Sequence, residues 1–583
     1  MPAFAAPLRD MRYVLWDLHD GAGLFALPQL AEFSRDDIDM VLEEAGRLCG
    51  AVLAPANRAG DEEGCRLENG SVRTPAGFPA LYAQFRDGGW SGLSAAPEDG
   101  GQGLPHAIQT LFDEMLSGAN LAFTSYPGLS IGAYQAIREH AAEELKRTFL
   151  PPLAEGRWTG TMCLTEPQCG TDLSLVRTRA VPLEGDRFAI SGTKIFISAG
   201  DHDLAENIIH LVLARLPDAP PGIAGLSLFL VPKRRLDAAG EPGALNGVVV
   251  AGIEHKMGLK GSATCQLSFE SAEGFLVGTA NKGMRAMFSM MNVARLAVAA
   301  QGIGLAEASS QAALAYARER IQGRDAAGPM PIIRHADVRR MLLTQKSLVE
   351  GMRALAVWIG VALDRRAFAA DAAERQAADD FVSLMTPVAK AFCTDSGVEC
   401  ASIGMQVFGG HGYIRETGVE QFLRDARIGP IYEGTNGVQA LDLVGRKIAE
   451  DDGRRLATVF GPVSALIAAH RDDADAGIAD LARRLEAAFA HLTAATATIR
   501  AAGADDAGAA STAYLRLFAL VSLGYLWLRM AVLSAGRDEA FHRAKVATAR
   551  FFLTHMLAEC AGLAARVAEG GAAIAGFDEE LFL

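Results

Sequence analysis

Hydrophobic and polar positions follow a helical period over most of the chain, with one interruption of strand-like pattern. Residues 34–158 are mostly helical in period, and Ser34 with Asp37 forms a capping pattern at the first helix. Residues 159–280 instead contain short β-rich runs separated by Gly, Pro and Asp turns. The helical period returns over 281–446 and continues in an Ala-rich segment. The pattern predicts the order helices, small sheet, helices, helices.

These changes divide the chain into five segments. They are an N-terminal extension, a helical domain, a middle β domain, a second helical bundle and a C-terminal helical extension, at residues 1–35, 36–158, 159–280, 281–448 and 449–583. The fold class is therefore α+β and mostly α. A Rossmann fold would place G-x-G-x-x-G after the first strand, and this sequence has no such fingerprint. A bound nucleotide would be held in another way.

Finer features are predicted within these segments. The clearest β-rich runs are 188–197, 208–213, 226–231 and 265–269. Breaks between helices are expected at 95–103, 326–331 and 501–510. The most apolar tract, 517–528, lies between two arginines and is shorter than the roughly 20 residues that span a bilayer. It predicts a buried helix and no integral membrane segment.

Composition indicates a globular protein. Half of the 583 residues are hydrophobic, 21% are charged, and the net charge of -14 disfavours a general nucleic-acid binder. Eight scattered cysteines form no C-x-x-C pair, so neither a metal site nor a disulfide framework is indicated. A reduced cytoplasm fits this cysteine usage, and no secretion signal pattern is present at the N-terminus.

The most informative segment for chemistry is 431–437, which places Glu433 between an aromatic residue and a glycine. The preceding Pro430 and the apolar-periodic run after it predict a loop that opens into a helix. A carboxylate in a largely apolar pocket has a raised pKa and can act as a general base. The alternative is a glutamate of the first helical turn that complements the helix dipole.

Three further motifs are unremarkable when each is taken alone. They are a hydroxyl-rich turn, a strand end and a glycine cluster, at residues 162–172, 194–200 and 406–413. Their order and separation, together with 431–437, resemble the acyl-CoA dehydrogenase family over residues 36–448. The resemblance implies a helical domain, a β-barrel-like domain and a four-helix bundle, with FAD between the sheet and the second bundle.

The chemistry implied by the resemblance is α,β-dehydrogenation of an acyl-CoA thioester. A base removes the α-proton while a hydride leaves the β-carbon for flavin N5, and Glu433 matches the base. Some relatives carry the base immediately before an arginine in the preceding helix. The matching stretch here has Ala294 before Arg295, and an alanine cannot accept a proton.

The same resemblance implies a set of binding residues. Phe196 replaces the more common tryptophan against the flavin ring, and Ser198 replaces the more common threonine at N5. Arg320 matches an arginine that reaches the FAD pyrophosphate from a neighbouring subunit, for which a guanidinium is well suited. The implied cofactor residues are Met162, Leu164, Thr165, Gly170, Thr171, Phe196, Ile197, Ser198, Arg320, Gln406, Gly409, Gly410 and Thr435. The implied substrate residues are Thr171, Asn292, Arg295 and Gly434.

The N-terminal run 6–12 and the C-terminal extension resemble the branch that contains 3-methylthiopropionyl-CoA dehydrogenases. We therefore expect a homodimer that passes electrons to an electron-transfer flavoprotein. Other short-, medium- or long-chain acyl-CoA substrates, and an oxidase that uses oxygen, remain alternatives. Some extended relatives bind DNA without catalysis, but residues 451–583 carry 13 basic and 16 acidic residues, a net charge of -3. Phosphate binding favours a basic surplus, so we expect no nucleic-acid partner.

Overall fold

The computed structural model describes residues 4–575 and 577–582, and the chain forms two compact units. The first, the helical unit, contains the chain up to Arg47, residues 105–118 and the chain from Val298 onward. The second, the sheet unit, contains residues 48–104 and 119–297.

Eighteen α-helices lie in the described part of the chain. They are α1 Leu8–Arg12, α2 Gly21–Phe25, α3 Arg35–Arg47, α4 Ala54–Glu63, α5 Phe78–Asp87, α6 His106–His140, α7 Glu143–Ala154, α8 Gly283–Glu319, α9 Ala336–Phe368, α10 Ala372–Phe408, α11 Glu420–Ala426, α12 Asn436–Asp442, α13 Arg454–His470, α14 Ala476–Ala501, α15 Ala504–Ser534, α16 Ala540–Phe551, α17 Glu559–Glu569 and α18 Ala572–Ala575. Helices α6 and α8 contribute residues to both units. The Ser34 and Asp37 pair caps α3, since Asp37 N–H donates to Ser34 Oγ at 3.2 Å and Ser34 N–H donates to Asp37 at 3.0 Å.

The strands form one main sheet and three hairpins. They are β1 Arg66–Glu68, β2 Ser71–Arg73, β3 Trp158–Cys163, β4 Arg179–Pro182, β5 Arg187–Ser198, β6 Asn207–Arg215, β7 Leu226–Pro232, β8 Arg234–Leu236, β9 Pro242–Leu245, β10 Val248–Ile253, β11 Thr264–Val277, β12 Ile321–Asp325 and β13 Gly328–Pro331. The seven-stranded sheet has the order β10-β11-β5-β4-β6-β3, and β7 pairs with both β11 and β6. The pairings β5-β4-β6-β7-β11-β5 therefore close a circuit, which makes the sheet barrel-like.

All four predicted β-rich runs lie inside β5, β6, β7 and β11, so those predictions are confirmed. Every residue of β7 is buried, as is every residue of β6 except Arg215. Burial on both faces explains why these two strands read as continuous apolar runs.

Two of the hairpins lie outside the predicted β domain. The β1–β2 hairpin interrupts the helical domain. Asn69 and Gly70 form its turn, and both adopt positive φ, 51° and 75°, as a tight two-residue turn requires. The β12–β13 hairpin occupies 321–331, where only a loop at 326–331 was expected. Its turn is stabilised by Asp325, whose side chain accepts the Ala327 N–H at 2.8 Å.

The predicted break at 501–510 is wrong in extent, because only residues 502–503 separate α14 from α15. Ala-rich sequence favours helix, and Asp505 and Asp506 in the first turn of α15 complement its dipole.

The prediction of a buried helix over 517–528 is confirmed. The segments Ala504–Ser534 and Ala540–Glu569 are long and apolar enough to cross a membrane by length and composition, among the residues that the structure describes. In the first of them 83% of the apolar window is buried inside the protein, against 39% in the second. Phe518, Leu523 and Trp527 of α15 are fully buried in the helical unit, so this helix is a core element.

A buried network of charges joins the two ends of the chain in the helical unit. The Arg353 guanidinium of α9 bonds Asp10 of α1 and Glu114 of α6. The Lys545 ammonium of α16 bonds Asp10 as well and donates to Glu350 at 2.8 Å. Burial would raise the pKa of Asp10, but the charges of Lys545 and Arg353 lower it to about 2. Asp10 therefore stays ionised and links the N-terminal extension to the C-terminal extension.

Candidate active site

The sheet unit presents an exposed aromatic ring near the end of β5. The register of β5 against β11 shifts between Lys194 and Ile197, which is a β-bulge. Within the bulge Phe196 has φ of 59° and is 60% exposed, while the adjacent Ile197 is buried. A bulge redirects a side chain away from the regular alternation of the strand. Phe196 is thus turned outward beside Ile197, which is fixed in the core.

The loop that leads away from β3 is fixed to β5 by a buried ion pair. Lys194 Nζ donates to Glu166 Oε1 at 2.8 Å and to the Leu164 carbonyl at 2.9 Å. Glu166 also accepts from Arg177 N–H at 2.7 Å and from the Thr178 hydroxyl at 2.6 Å. Burial would raise the pKa of Glu166, but Lys194 and these hydrogen bonds lower it to about 2. The carboxylate is therefore ionised and shapes residues 164–178.

This loop places the predicted cofactor residues of the sheet unit beside β5. The Thr165 carbonyl accepts the Ile195 N–H at 2.9 Å, so Thr165 is adjacent to the bulge. Gly170 lies next to Thr165, since a Cβ on Gly170 would be 3.9 Å from the Thr165 methyl. Met162, Leu164, Thr165 and Ser198 are partly buried, and Thr171 is exposed.

These residues fit a flavin. An isoalloxazine ring has flat faces that stack on an aromatic side chain and edges that accept and donate hydrogen bonds. Here an exposed phenyl ring lies on a rigid strand, with the hydroxyls of Thr165 and Ser198 on the adjoining loop and at the end of the same strand. Phe196 would stack on the ring, and the two hydroxyls would meet its polar edge.

Besides Thr171 of the loop after β3, the predicted substrate residues of the sheet unit lie on α8. Asn292 is exposed, and Arg295, three positions later, is 6% exposed. A spacing of three places both on one face of the helix. Ala294, at the alternative position for a base, has only a methyl side chain.

The helical unit carries Glu433 in a loop between α11 and α12. Glu433 has φ of 57° and Gly434 has φ of 81°, so both are in the left-handed region. Thr435 is the N-cap of α12, and its hydroxyl accepts the Val438 N–H at 3.3 Å. Glu433 therefore precedes the cap by two residues and does not belong to the first helical turn.

Hydrogen bonds hold this loop on both sides of Glu433. The Tyr432 hydroxyl bonds the Gln301 side chain of α8. Gln439 Nε2 of α12 reaches the Gly434 carbonyl at 3.2 Å and the Glu433 carbonyl at 3.4 Å. Burial raises the pKa of Tyr432, and the negative charge of Glu433 raises it further, so the tyrosine remains a neutral donor.

The remaining predicted cofactor residues of the helical unit gather at one end of α8 and α10. Arg320 is exposed directly after α8, and Gln406 is exposed in the last turn of α10. The two helix ends meet where the Tyr316 ring stacks on Phe408 at 4.2 Å. The glycines 409–410 follow, and a Cβ on either would meet no atom within 4 Å. That open backbone permits close approach of a ligand.

Several residues that shape the two loops were not predicted. Lys194 and Lys390 are fully buried lysines that donate to carbonyl groups of the loops, and Gln439 does the same from α12. The available signal was a single cation within an apolar run, as at 387–393 around Lys390. A buried lysine needs a partner, but the pattern does not identify it.

Family models match nearly the whole chain. The models described as acyl-CoA dehydrogenase N-terminal, middle and C-terminal domains match residues 35–157, 161–272 and 281–448. A model described as acetyl-CoA dehydrogenase C-terminal like matches residues 459–578.

Known proteins agree with the family models. The chain is 43% identical to 3-methylmercaptopropionyl-CoA dehydrogenase of Ruegeria pomeroyi, over 97% of this chain and 98% of that one. It is 34% identical to a butyryl-CoA dehydrogenase of Syntrophomonas wolfei, over 94% of each. The fold is similar to that of an acyl-CoA dehydrogenase of Bacillus anthracis complexed with FAD, with a TM-score of 0.76 and 19% identity over 99% of this chain and 94% of that one. The chain therefore belongs to the acyl-CoA dehydrogenase family, whose members are FAD-dependent oxidoreductases.

Proposed function

We propose that this protein oxidises short acyl-CoA thioesters, foremost 3-methylthiopropionyl-CoA, to the corresponding trans-2-enoyl-CoA. Glu433 removes the proton from the α-carbon. FAD, when bound, accepts the hydride from the β-carbon. The observation that carries the proposal is the loop of Glu433, whose backbone is left-handed at this residue and is held by hydrogen bonds from Tyr432 and to the Glu433 carbonyl.

The strain in this loop supports a functional role for Glu433. A residue other than glycine in the left-handed region costs about 1–3 kcal/mol and persists where the surroundings over-determine it. Such outliers cluster at active sites, because an exact side-chain position is needed there. Gly434 beside it carries no side chain, which leaves room for a thioester to approach the carboxylate.

Similarity supports the choice of acyl group. The 3-methylmercaptopropionyl group named for the Ruegeria pomeroyi relative is the same group as 3-methylthiopropionyl, and that relative aligns over 97% of this chain. The Syntrophomonas wolfei relative is named for butyryl-CoA at lower identity. Both acyl groups are short, so we place butyryl-CoA second among the substrates.

Flavin bleaching under anaerobic conditions tests this proposal. Purified holoenzyme is mixed with 3-methylthiopropionyl-CoA, butyryl-CoA, octanoyl-CoA or palmitoyl-CoA, and the loss of flavin absorbance is followed. We expect the thioether substrate to give the highest kcat/KM, butyryl-CoA the next, and palmitoyl-CoA little reduction. A preference for octanoyl- or palmitoyl-CoA would overturn the substrate assignment, and absence of bleaching with all four would overturn the reaction.

We propose an electron-transfer flavoprotein as the acceptor. Mixing the reduced enzyme with air, and separately with an oxidised electron-transfer flavoprotein, compares the two acceptors directly. Rapid peroxide formation in air would favour an oxidase and contradict this assignment.

We also propose a homodimer in a reduced cytoplasm. Burial of α15 within the helical unit supports the view that the C-terminal extension covers a surface that shorter relatives use between subunits. The eight free cysteines support a reducing compartment. Sedimentation of the holoenzyme should give the mass of two chains, and a mass of four would contradict the dimer. Cell fractionation tests the compartment.

A further inference from the structure

We propose that Lys390 is a positioning residue that holds the carboxylate of Glu433 in its working place. The inference rests on the proposed function of Glu433 and adds a second residue on which the rate of proton removal depends. Lys390 lies in α10, forty-three positions before Glu433. Its ammonium bonds a backbone carbonyl and a side chain within residues 434–436.

The contacts of Lys390 span the loop. Its Nζ donates to the Gly434 carbonyl at 2.8 Å and to Asn436 Oδ1 at 2.9 Å. Gly434 is the residue directly after Glu433, and Asn436 is the first residue of α12. One ammonium group therefore joins the peptide that follows the base to the helix that supports it.

Asn436 is itself fixed on α10. Its Nδ2 donates to the Ala391 carbonyl at 3.1 Å and to Asp395 Oδ1 at 2.8 Å. Burial raises the pKa of Asp395, although hydrogen bonding from Asn436 and the charges of Arg516 and Lys390 oppose that rise. The start of α12 is thus bonded along more than one turn of α10. Asn436, the side-chain acceptor of Lys390, is therefore held in position by other bonds.

Close packing of α8 on α10 adds rigidity beneath the loop. A Cβ on Gly302 would lie 2.3 Å from the Cys393 carbonyl, so only glycine permits this approach. Gln301, the neighbour of Gly302, bonds the Tyr432 hydroxyl. The loop is consequently held by α8 before Glu433 and by Lys390 of α10 after it.

Full burial of Lys390 argues that its role is specific. Its side chain has no exposed surface, and removing an ammonium from water is costly unless strong acceptors replace the water. A leucine or methionine at this place would fill the core without that cost. The ammonium instead opposes the tendency of the left-handed Glu433 backbone to relax.

The size of the effect follows from geometry. A displacement of about 1 Å in a catalytic group can reduce the rate about 100-fold. Loss of the Lys390 donor frees the Gly434 carbonyl and lets the peptide after Glu433 rotate. We expect the rate of flavin reduction to fall about 100-fold in Lys390→Met, while FAD content and the Kd for the substrate change less than about threefold.

Two further variants should give intermediate rates of flavin reduction. Lys390→Gln keeps a neutral donor on a shorter side chain and should recover part of the lost rate. Asn436→Ala removes one acceptor but leaves the bond to Gly434, so a smaller loss of about tenfold is expected. Asn436→Ala also serves as the test if Lys390→Met does not fold.

Lys447→Met is the matched control. Lys447 Nζ donates to Ser383 of α10 at 2.9 Å, so it also joins the region after α12 to α10, and it lies eleven positions beyond Asn436. This variant should lower stability slightly and leave flavin reduction per bound FAD unchanged.

Stopped-flow flavin reduction, flavin content and thermal melting are measured for each variant with the substrate that bleaches the wild type best. A fall in kcat with nearly constant KM for Lys390→Met, against none for Lys447→Met, supports the inference. If Lys390→Met only melts earlier or loses FAD but reduces its remaining flavin at the wild-type rate, Lys390 is merely structural and the inference fails. Failure of the wild type itself to bleach would instead overturn the proposed function.

Discussion

Two loops carry the candidate chemistry, and each is attached to its unit by a fully buried lysine. In the sheet unit Lys194 bonds the Leu164 carbonyl and the Glu166 carboxylate. In the helical unit Lys390 bonds the Gly434 carbonyl and the Asn436 side-chain oxygen. Both lysines therefore donate to a backbone carbonyl of the loop, but the second acceptor is a carboxylate in one case and an amide in the other.

The difference separates two tasks. A carboxylate that accepts several hydrogen bonds fixes the whole course of residues 164–178, as a frame for a bound cofactor requires. In the helical unit, the carbonyl and the amide oxygen that accept from Lys390 position the peptide next to Glu433. The Lys194 bonds thus hold a long loop, whereas the Lys390 bonds hold the backbone beside a single residue.

Removal of the base should have the largest effect. Glu433→Gln keeps the size of the side chain and the loop hydrogen bonds but cannot accept the α-proton. Flavin reduction should fall by about 10²–10⁴-fold, with FAD and acyl-CoA binding retained. Anaerobic stopped-flow spectroscopy measures this rate, and bleaching within threefold of the wild type would refute the role of Glu433.

Breaking the sheet-unit pair should mainly cost stability. Lys194→Met leaves the Glu166 carboxylate buried without its ammonium partner, a change that costs about 3–5 kcal/mol. Hydrogen exchange of the β5 amides measures the loss within the sheet unit. Arg187→Gln is the control, since the Arg187–Glu273 pair at 3.1 Å is partly exposed and should contribute about 0–1 kcal/mol. Equal effects of the two variants would show that burial of the pair does not matter.

Acid should affect the two loops differently. The pKa of Glu166 is lowered from 4.5 to about 2, so its contribution to stability is present above pH 4.5 and is lost as pH falls from 4.5 toward 2. The contribution is at most about 3 kcal/mol, because burial also lowers the pKa of Lys194 and opposes part of it. The Gly434 carbonyl and the Asn436 amide that accept from Lys390 do not titrate themselves, although burial raises the pKa of Asp395, which accepts a hydrogen bond from Asn436.

A comparison of Glu166→Gln with the wild type measures this pH dependence. The difference in β5 protection between the two proteins should be constant from pH 7 to 5 and should shrink below pH 4.5. A difference that stays constant down to pH 3 would mean that Glu166 is not held ionised by Lys194.

The smallest effect is expected at Gly434. An alanine there would hold φ near 81°, which costs about 1–2 kcal/mol for a residue with a Cβ. We expect a modest fall in melting temperature and a several-fold slower flavin reduction. If Gly434→Ala is as stable and as active as the wild type, the left-handed backbone beside Glu433 is not required.

Local patterns predicted the elements whose signals are local. The Ser34–Asp37 cap, the strands β5, β6, β7 and β11, and the buried helix around 517–528 depend on neighbouring residues or on burial of a whole segment. The β1–β2 hairpin has a local signal as well, in Asn69-Gly70, but the helical period of the surrounding segment dominates the pattern there.

Other features depend on residues distant in sequence. The left-handed φ of Phe196 and Glu433 is imposed by the bulge against β11 and by bonds from α8, α10 and α12, so no pattern around either residue indicates it. The role of Lys390 depends on which side of α10 faces a loop more than forty residues later. The motifs indicate candidate residues, but not the bonds that hold those residues in place.

The buried network at Asp10 has a consequence for biosynthesis. Asp10 pairs with Lys545, and the Tyr13 hydroxyl donates to the Met530 carbonyl at 3.1 Å, so this segment binds residues that are translated more than 500 positions later. At about 5–20 residues per second, the N-terminal segment waits roughly half a minute to two minutes for this partner. During that time its apolar residues, among them Met11, Val14 and Leu15, lack their final packing. Chains terminated before α16 would keep these apolar residues incompletely packed, so we expect such chains to be bound by chaperones and degraded by proteases.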